Sequence, residues 1–134
     1  MSMFSIFNVS GSAISAQSQR LNVVASNLAN ADAVAGPDGQ GYKSRQVVFQ
    51  TFPMDSQATA GVKVTNITES NAPFKRVHNP NHPSADAQGY VNYSNVNPVE
   101  QMVDMISASR SYQNNIEVMN TAKTLLLKTL QMGQ

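Results

Sequence analysis

The sequence predicts a mainly α chain with a small β insertion. Long N- and C-terminal amphipathic helices pack as an antiparallel coiled-coil-like pair, with short antiparallel strands between them. Three observations carry this. Phe7, Ile14, Leu21 and Leu28 recur every seventh residue near the start, and that spacing keeps them on one side of a helix. The run from Asn97 to Leu130 contains no Gly and, after Pro98, no Pro. The stretch between is rich in β-branched and aromatic residues bounded by Gly, Pro, Asn and Asp, the pattern of short strands. The expected division is residues 1–31 as an N-terminal helix, 32–97 as loop and β insertion, and 98–134 as a C-terminal helix, all forming one structural unit.

Between the large residues of the first helix lie Gly11, Ser18 and Ala25 at the four-residue step, giving a seam of alternating large and small side chains with room for close approach. Glycine is a poor helix former, so a break near Gly11 is one expectation and a continuous helix to about Ala31 the other. Asn22, Asn27 and Asn30 are dense for a helix interior, where Asn is unfavourable. They read either as hydrogen-bonding residues at a helix interface that fix register, or as solvated positions on a fraying last turn. The cluster Gly36, Pro37, Asp38, Gly39 and Gly41 ends the helical region.

Four strands are expected in the middle: Gln46 to Phe52, Gly61 to Thr68, Phe74 to Val77 and Gly89 to Tyr93, with a loop at Asp55 to Ala60. Asn97-Pro98-Val99-Glu100 then writes a helix start. The Asn side chain can accept from an early helical N–H, Pro suits the first position, and Glu can reach back to the Asn amide. Met102, Met105, Ile106, Ser109, Tyr112, Ile116, Met119, Leu126 and Leu130 follow at three- and four-residue steps. A helix from Val99 to Leu130 is about 48 Å long at 1.5 Å per residue, whereas a compact chain of this length is about 36 Å across. Part of its apolar face must therefore be covered by another long helix, from this chain or a neighbour.

Composition narrows the function. The net charge is +1 and 13% of the 134 residues are charged, against roughly 25% in ordinary domains. A weakly charged, amide-rich surface repels itself little, which suits a chain that packs against others. No basic run exists for a phosphate backbone, and no stretch is long and apolar enough to span a bilayer. Cysteine is absent, which removes disulfides, thiolate metal sites and thiol nucleophiles. The first basic residue is Arg20, so a Sec-type signal peptide is not expected.

Chemistry is sparse. His78 and His82 have the four-residue spacing of a helical zinc pair, but Pro80 and Pro83 forbid that helix and no third ligand follows. The carboxylates are scattered, and neither a nucleophile elbow nor a phosphate-binding glycine loop occurs. Asn66-Ile67-Thr68 matches a glycosylation triplet of a kind common by chance. No enzyme activity, metal or cofactor is expected.

The stretch Asn22-x-x-Ala25-Ser-Asn27-Leu28-Ala-Asn30, following an amphipathic helix, resembles the signature of bacterial flagellar rod and hook proteins. Gly61 to Val64, His82 to Asn97 and Met102 to Tyr112 are similar to the proximal members of the basal-body rod family, and the His82 to Asn97 stretch argues against the FlgB subunit. Ser94 stands where that family often has Pro, and Pro98 where an apolar residue is usual. The resemblance implies a structural subunit of the proximal rod, the drive shaft that crosses the periplasm, transmits torque and forms part of the export channel. It implies export through the flagellar type III apparatus without a cleaved signal, and assembly under a rod cap. Expected partners are other copies of the chain, the rod proteins FlgB, FlgF and FlgG, and the FliE adaptor, with no nucleic acid and no direct membrane insertion. The terminal helices would form an inner tube and the β insertion would face outward. Candidate subunit-interface residues are Phe7, Ile14, Leu21, Asn22, Ala25, Asn27, Leu28 and Asn30 on the first helix. On the last helix they are Met102, Met105, Ile106, Ser109, Tyr112, Ile116 and Met119. The rival of another class is a soluble helical adaptor or export chaperone, whose long apolar helices would cover a client in the cytosol.

Overall fold

A computed structural model describes residues 3–55 and 59–133. In chain order the elements are α1 (Met3–Ala29), β1 (Arg45–Pro53), β2 (Ala60–Glu69), β3 (Arg76–His78), β4 (Tyr90–Asn92) and α2 (Pro98–Met132). Two long helices thus flank a few short antiparallel strands, as the periodicities require.

Helix α1 runs for 27 residues without a break at Gly11. It stops two residues short of the expected end, where Asn30 bonds back to the Ser26 carbonyl through both its backbone N–H (3.1 Å) and its side-chain Nδ2 (2.8 Å). Helix α2 runs for 35 residues. Its start is capped as the residues dictate, with Val99 N–H donating to Asn97 Oδ1 at 3.1 Å.

The chain divides into two compact units, each drawing on both helices and on the strands between them. One comprises Met1–Leu21, Val47–Asn66 and Ile106–Gln134. Its buried residues are small: Ser10, Ala16, Thr59, Gly61, Ala108 and Ala122. Strands β1 and β2 pair, and a connection this short makes them an antiparallel hairpin. Met54 N–H donates to Thr59 O at 2.9 Å where the strands end; of the loop expected there, residues 56–58 lie outside the described residues. The hairpin is tied to α1 by Ser12, whose hydroxyl donates to Val9 O (2.7 Å) and accepts from Val62 N–H (3.2 Å).

The other unit comprises Asn22–Gln46 and Ile67–Met105. Strands β3 and β4 pair antiparallel, with Val77 opposite Val91 and His78 opposite Tyr90. Both are shorter than expected, because Lys75 and Tyr93 fall outside the strands proper: Tyr93 N–H donates to Lys75 O (2.8 Å), and Tyr93 bridges Val34. The turn before β4 is built on Asp86, whose Oδ1 accepts from Gln88 N–H and Tyr90 N–H, both at 2.9 Å. Gly89 has a φ of +81°, and a Cβ there would come within 3.1 Å of Pro80 and 3.2 Å of His78, so glycine is required. Ser94 is buried, and its hydroxyl donates to Ala31 O at 2.6 Å while accepting from Val96 N–H at 3.3 Å.

Candidate subunit interface

Near its start helix α2 turns four apolar side chains away from its own chain. Val99, Met102, Val103 and Ile106 stand at the i, i+3, i+4, i+7 positions of one helical face and are 69%, 55%, 62% and 55% exposed. The buried positions of the same helix are Gln101, Ala108 and Ala122. Ala108 lies nine residues beyond Val99, about two and a half turns, and so on the opposite side of the rod. Ordinary surface helices bury the apolar stripe and expose the polar one. Here small and amide residues are buried and branched or sulfur-bearing ones are not. Further along, Val118, Leu125, Leu127 and Leu130 are each about half exposed. Val118 and Leu125 border a groove of about 460 Å³ with Ile6, Asn114, Glu117, Thr121 and Ala122.

Among the residues singled out on α1, Phe7, Ile14, Leu21, Leu28 and Asn30 are half-buried, while Asn22 and Ala25 are exposed. Asn27 makes its hydrogen bonds inside the chain, one of them across to α2. It is 0% exposed, and all four of its side-chain hydrogen-bonding positions are taken within the chain. Its Nδ2 donates to Arg45 O (2.8 Å) and Gln101 Oε1 (2.9 Å), and its Oδ1 accepts from Tyr42 Oη (2.9 Å) and Arg45 N–H (3.0 Å). A side chain so enclosed holds segments of its own fold together.

On α2, Met102 and Ile106 are exposed, and Met105, Ser109, Tyr112, Ile116 and Met119 are half-buried. The stripe read as one seam is therefore split between the side that meets the chain and the side that does not. Val99 and Val103 complete the exposed face, and their signal was present in the spacing from Val99 to Ile106.

The charged groups organise the surface rather than a reactive centre. Asp86 is held below the usual carboxylate range, first by the Tyr90 N–H bond, which outweighs the opposing effect of desolvation, with the Gln88 N–H bond and Arg76 adding to the lowering. Arg76 reaches Asp86 Oδ2 at 3.1 Å and lies 4.6 Å from the Tyr90 ring centroid. His82 uses Nδ1 to accept from Ser84 N–H (3.0 Å), and His78 meets Tyr90 edge-on with ring centroids 5.0 Å apart. Among the described residues, no group of three or more His, Cys, Asp or Glu is placed to hold a metal ion. No described helix is long and apolar enough to cross a membrane.

Comparison with known proteins identifies relatives. Residues 7–37 match the family model described as flagella basal body rod protein, and residues 87–132 match that of the flagellar basal body rod FlgEFG protein C-terminal region. The chain is 59% identical over 134 residues to the flagellar basal-body rod protein FlgC of Salmonella typhimurium. It is 58% identical over the same length to those of Escherichia coli O157:H7 and Yersinia enterocolitica. In all three cases the match covers the whole of both chains.

Proposed function

The chain belongs to the flagellar basal-body rod proteins, of the FlgC type, and is a structural subunit of that rod and not an enzyme; from this we propose that it assembles through the outward apolar face of α2. The observation that carries the proposal is the exposure of Val99, Met102, Val103 and Ile106 opposite the helix's buried side. Fully burying one such side chain contributes roughly 1.5–3 kcal/mol, so covering what remains exposed of four that are 55–69% exposed contributes on the order of 4–7 kcal/mol. Fixing one body against another costs about 4–15 kcal/mol. The face alone is therefore marginal, and the subunit needs several contacts at once. A lattice with neighbours on more than one side supplies them, and a contact that does not close on itself extends as a helix.

In this reading, residues 1–31 and 98–134 form an antiparallel, coiled-coil-like pair in the inner tube, and residues 32–97 face outward. Two placements, each inside one unit, support the antiparallel sense. Asn27 near the end of α1 meets Gln101 near the start of α2, and Ile6 near the start of α1 borders the groove along Asn114 to Leu125. The subunit assembles with other basal-body rod components, and the specific neighbours proposed are copies of itself, FlgB, FlgF, FlgG and the FliE adaptor. Export through the flagellar type III apparatus, assembly under a rod cap, and a place where the rod crosses the periplasm complete the proposal. The relatives give no support to an adaptor or export chaperone role.

The test is deletion of the gene in its motile host, electron cryotomography of the envelope, and restoration of the wild-type gene. The expected result is a basal body with its inner ring but no completed rod, hook or filament, repaired by restoration. Intact rotating flagella in the deletion strain would overturn the proposal.

A further inference from the structure

The outward face of α2 carries a thioether open to solvent. The chain has no cysteine, so methionine is the sulfur that an oxidant meets. Among the described methionines, Met102 is 55% and Met132 88% exposed, whereas Met3, Met54, Met105 and Met119 are half-buried. Met132 is the last residue of α2. Met102 stands instead within the apolar face, three residues after Val99 and four before Ile106, with Val103 beside it. It contributes little to the fold of its own chain and much to the surface through which that chain is read to assemble.

We propose that Met102 is an oxidation site that uncouples folding from assembly, an inference that rests on the rod-subunit reading above. The co-reactant is a hydroperoxide. Its O–O bond breaks as an S–O bond forms at Met102 Sδ, the sulfur gives up two electrons, and the second peroxide oxygen leaves as water, or as an alcohol from an organic peroxide. The product is a sulfoxide, a polar acceptor in place of an apolar thioether. In the free subunit that group stays in water. In the rod it would be drawn out of water among Val99, Val103 and Ile106, whose side chains have no donor to offer it, and burying an unpaired polar group is unfavourable. The oxidised chain therefore folds but does not incorporate, and reduction of the sulfoxide back to the thioether restores it.

The test treats the purified full-length subunit with dilute hydrogen peroxide and follows it by peptide mass mapping and circular dichroism. Met102 and Met132 should gain oxygen several-fold faster than Met54, Met105 and Met119, with the helical signal unchanged. Met102 oxidising no faster than the half-buried methionines, or helix lost as it oxidises, overturns the proposal. In isolated basal bodies treated alike, Met102 should react several-fold more slowly than in the free subunit, and equal rates overturn both the outward face as a contact and the proposal built on it. Met102→Gln, polar and uncharged as the sulfoxide is, reports the last step in the deletion strain. It should keep the wild-type melting temperature of the free subunit and lose incorporation. A lowered melting temperature would place Met102 in the fold and overturn the proposal. Normal rods from that variant overturn the modification and leave the rod role standing, whereas intact rods after gene deletion overturn the rod role itself.

Discussion

Asn27 and Gln101, 74 positions apart in the chain, are joined by a hydrogen bond of 2.9 Å from Asn27 Nδ2 to Gln101 Oε1, buried from solvent. It links the last turns of α1 to the first turn of α2, and the same Asn side chain also holds both backbone groups of Arg45 at the start of β1. Three segments are thus brought together by one amide.

Asn27→Ala leaves the Arg45 N–H and carbonyl and the Gln101 amide without their buried partner. An unsatisfied buried group costs about 1–3 kcal/mol, so a loss of roughly 2–4 kcal/mol is expected, seen as a lower urea midpoint with little change in slope. Asn27→Asp keeps the size but replaces both donated bonds with a carboxylate facing two acceptors. It should destabilise at least as much, and equal stability of Asn27→Asp and wild type would show that the amide donors matter little.

Two glycines should respond with opposite sign. At Gly61 a Cβ would come within 2.7 Å of Met54 Sδ, 2.9 Å of Ser12 Oγ and 3.1 Å of the Phe52 ring. Ser12 cannot retreat without losing its bonds to Val9 and Val62, so Gly61→Ala should cost about 1–3 kcal/mol. Gly11→Ala adds a methyl to open space in a helix interior and should stabilise the free subunit by about 0.5–1 kcal/mol. Thermal melts of the two variants check both signs.

The elements were legible because their causes are local. Heptad spacing from Phe7 to Leu28, the Asn97-Pro98 start and the β-branched runs each fix a segment from within, and the observed ends fall within two residues of most of those expected. What α2 buries was not legible. Its buried positions include Gln101, Ala108 and Ala122, small or polar residues that a search for apolar stripes passes over, while the large residues that attract such a search lie partly on the far side. The sequence leaves Asn27 open between an interface amide and a solvated one, because its partners Tyr42, Arg45 and Gln101 come from distant segments. Only the folded chain brings them to it.

The turn at Asp86 should respond to acid. Its carboxyl is held below the ordinary value of 3.8 chiefly by the Tyr90 N–H, with Gln88 N–H and Arg76 adding to it. A carboxyl with a lowered folded pKa contributes stability that is present above the unfolded value and is lost as pH falls through the folded one. The β3–β4 turn should therefore be indifferent to pH from 7 to about 5 and loosen only below about 4. NMR titration should show the Gln88 and Tyr90 amide signals moving with the Asp86 carboxyl. In Asp86→Asn that response should vanish, and its persistence would assign the effect to another group.

The exposed face of α2 gives the sharpest separation between folding and assembly. Val103 and Ile106 are 62% and 55% exposed, so Val103→Asp or Ile106→Asp should leave the free subunit within about 0.5 kcal/mol of wild type. In the rod the same carboxylate would be taken out of water beside apolar neighbours, which is unfavourable unless it finds a partner. Each variant should therefore be produced and secreted at wild-type levels yet fail to restore motility in the deletion strain. Ala108→Asp is the contrast, because Ala108 is 0% exposed on the opposite side of the helix and a charge there should unfold the subunit itself. Should Ile106→Asp build normal rods while Ala108→Asp unfolds, the outward face is not a contact, and the half-buried line through Met105, Tyr112 and Ile116 becomes the side to test.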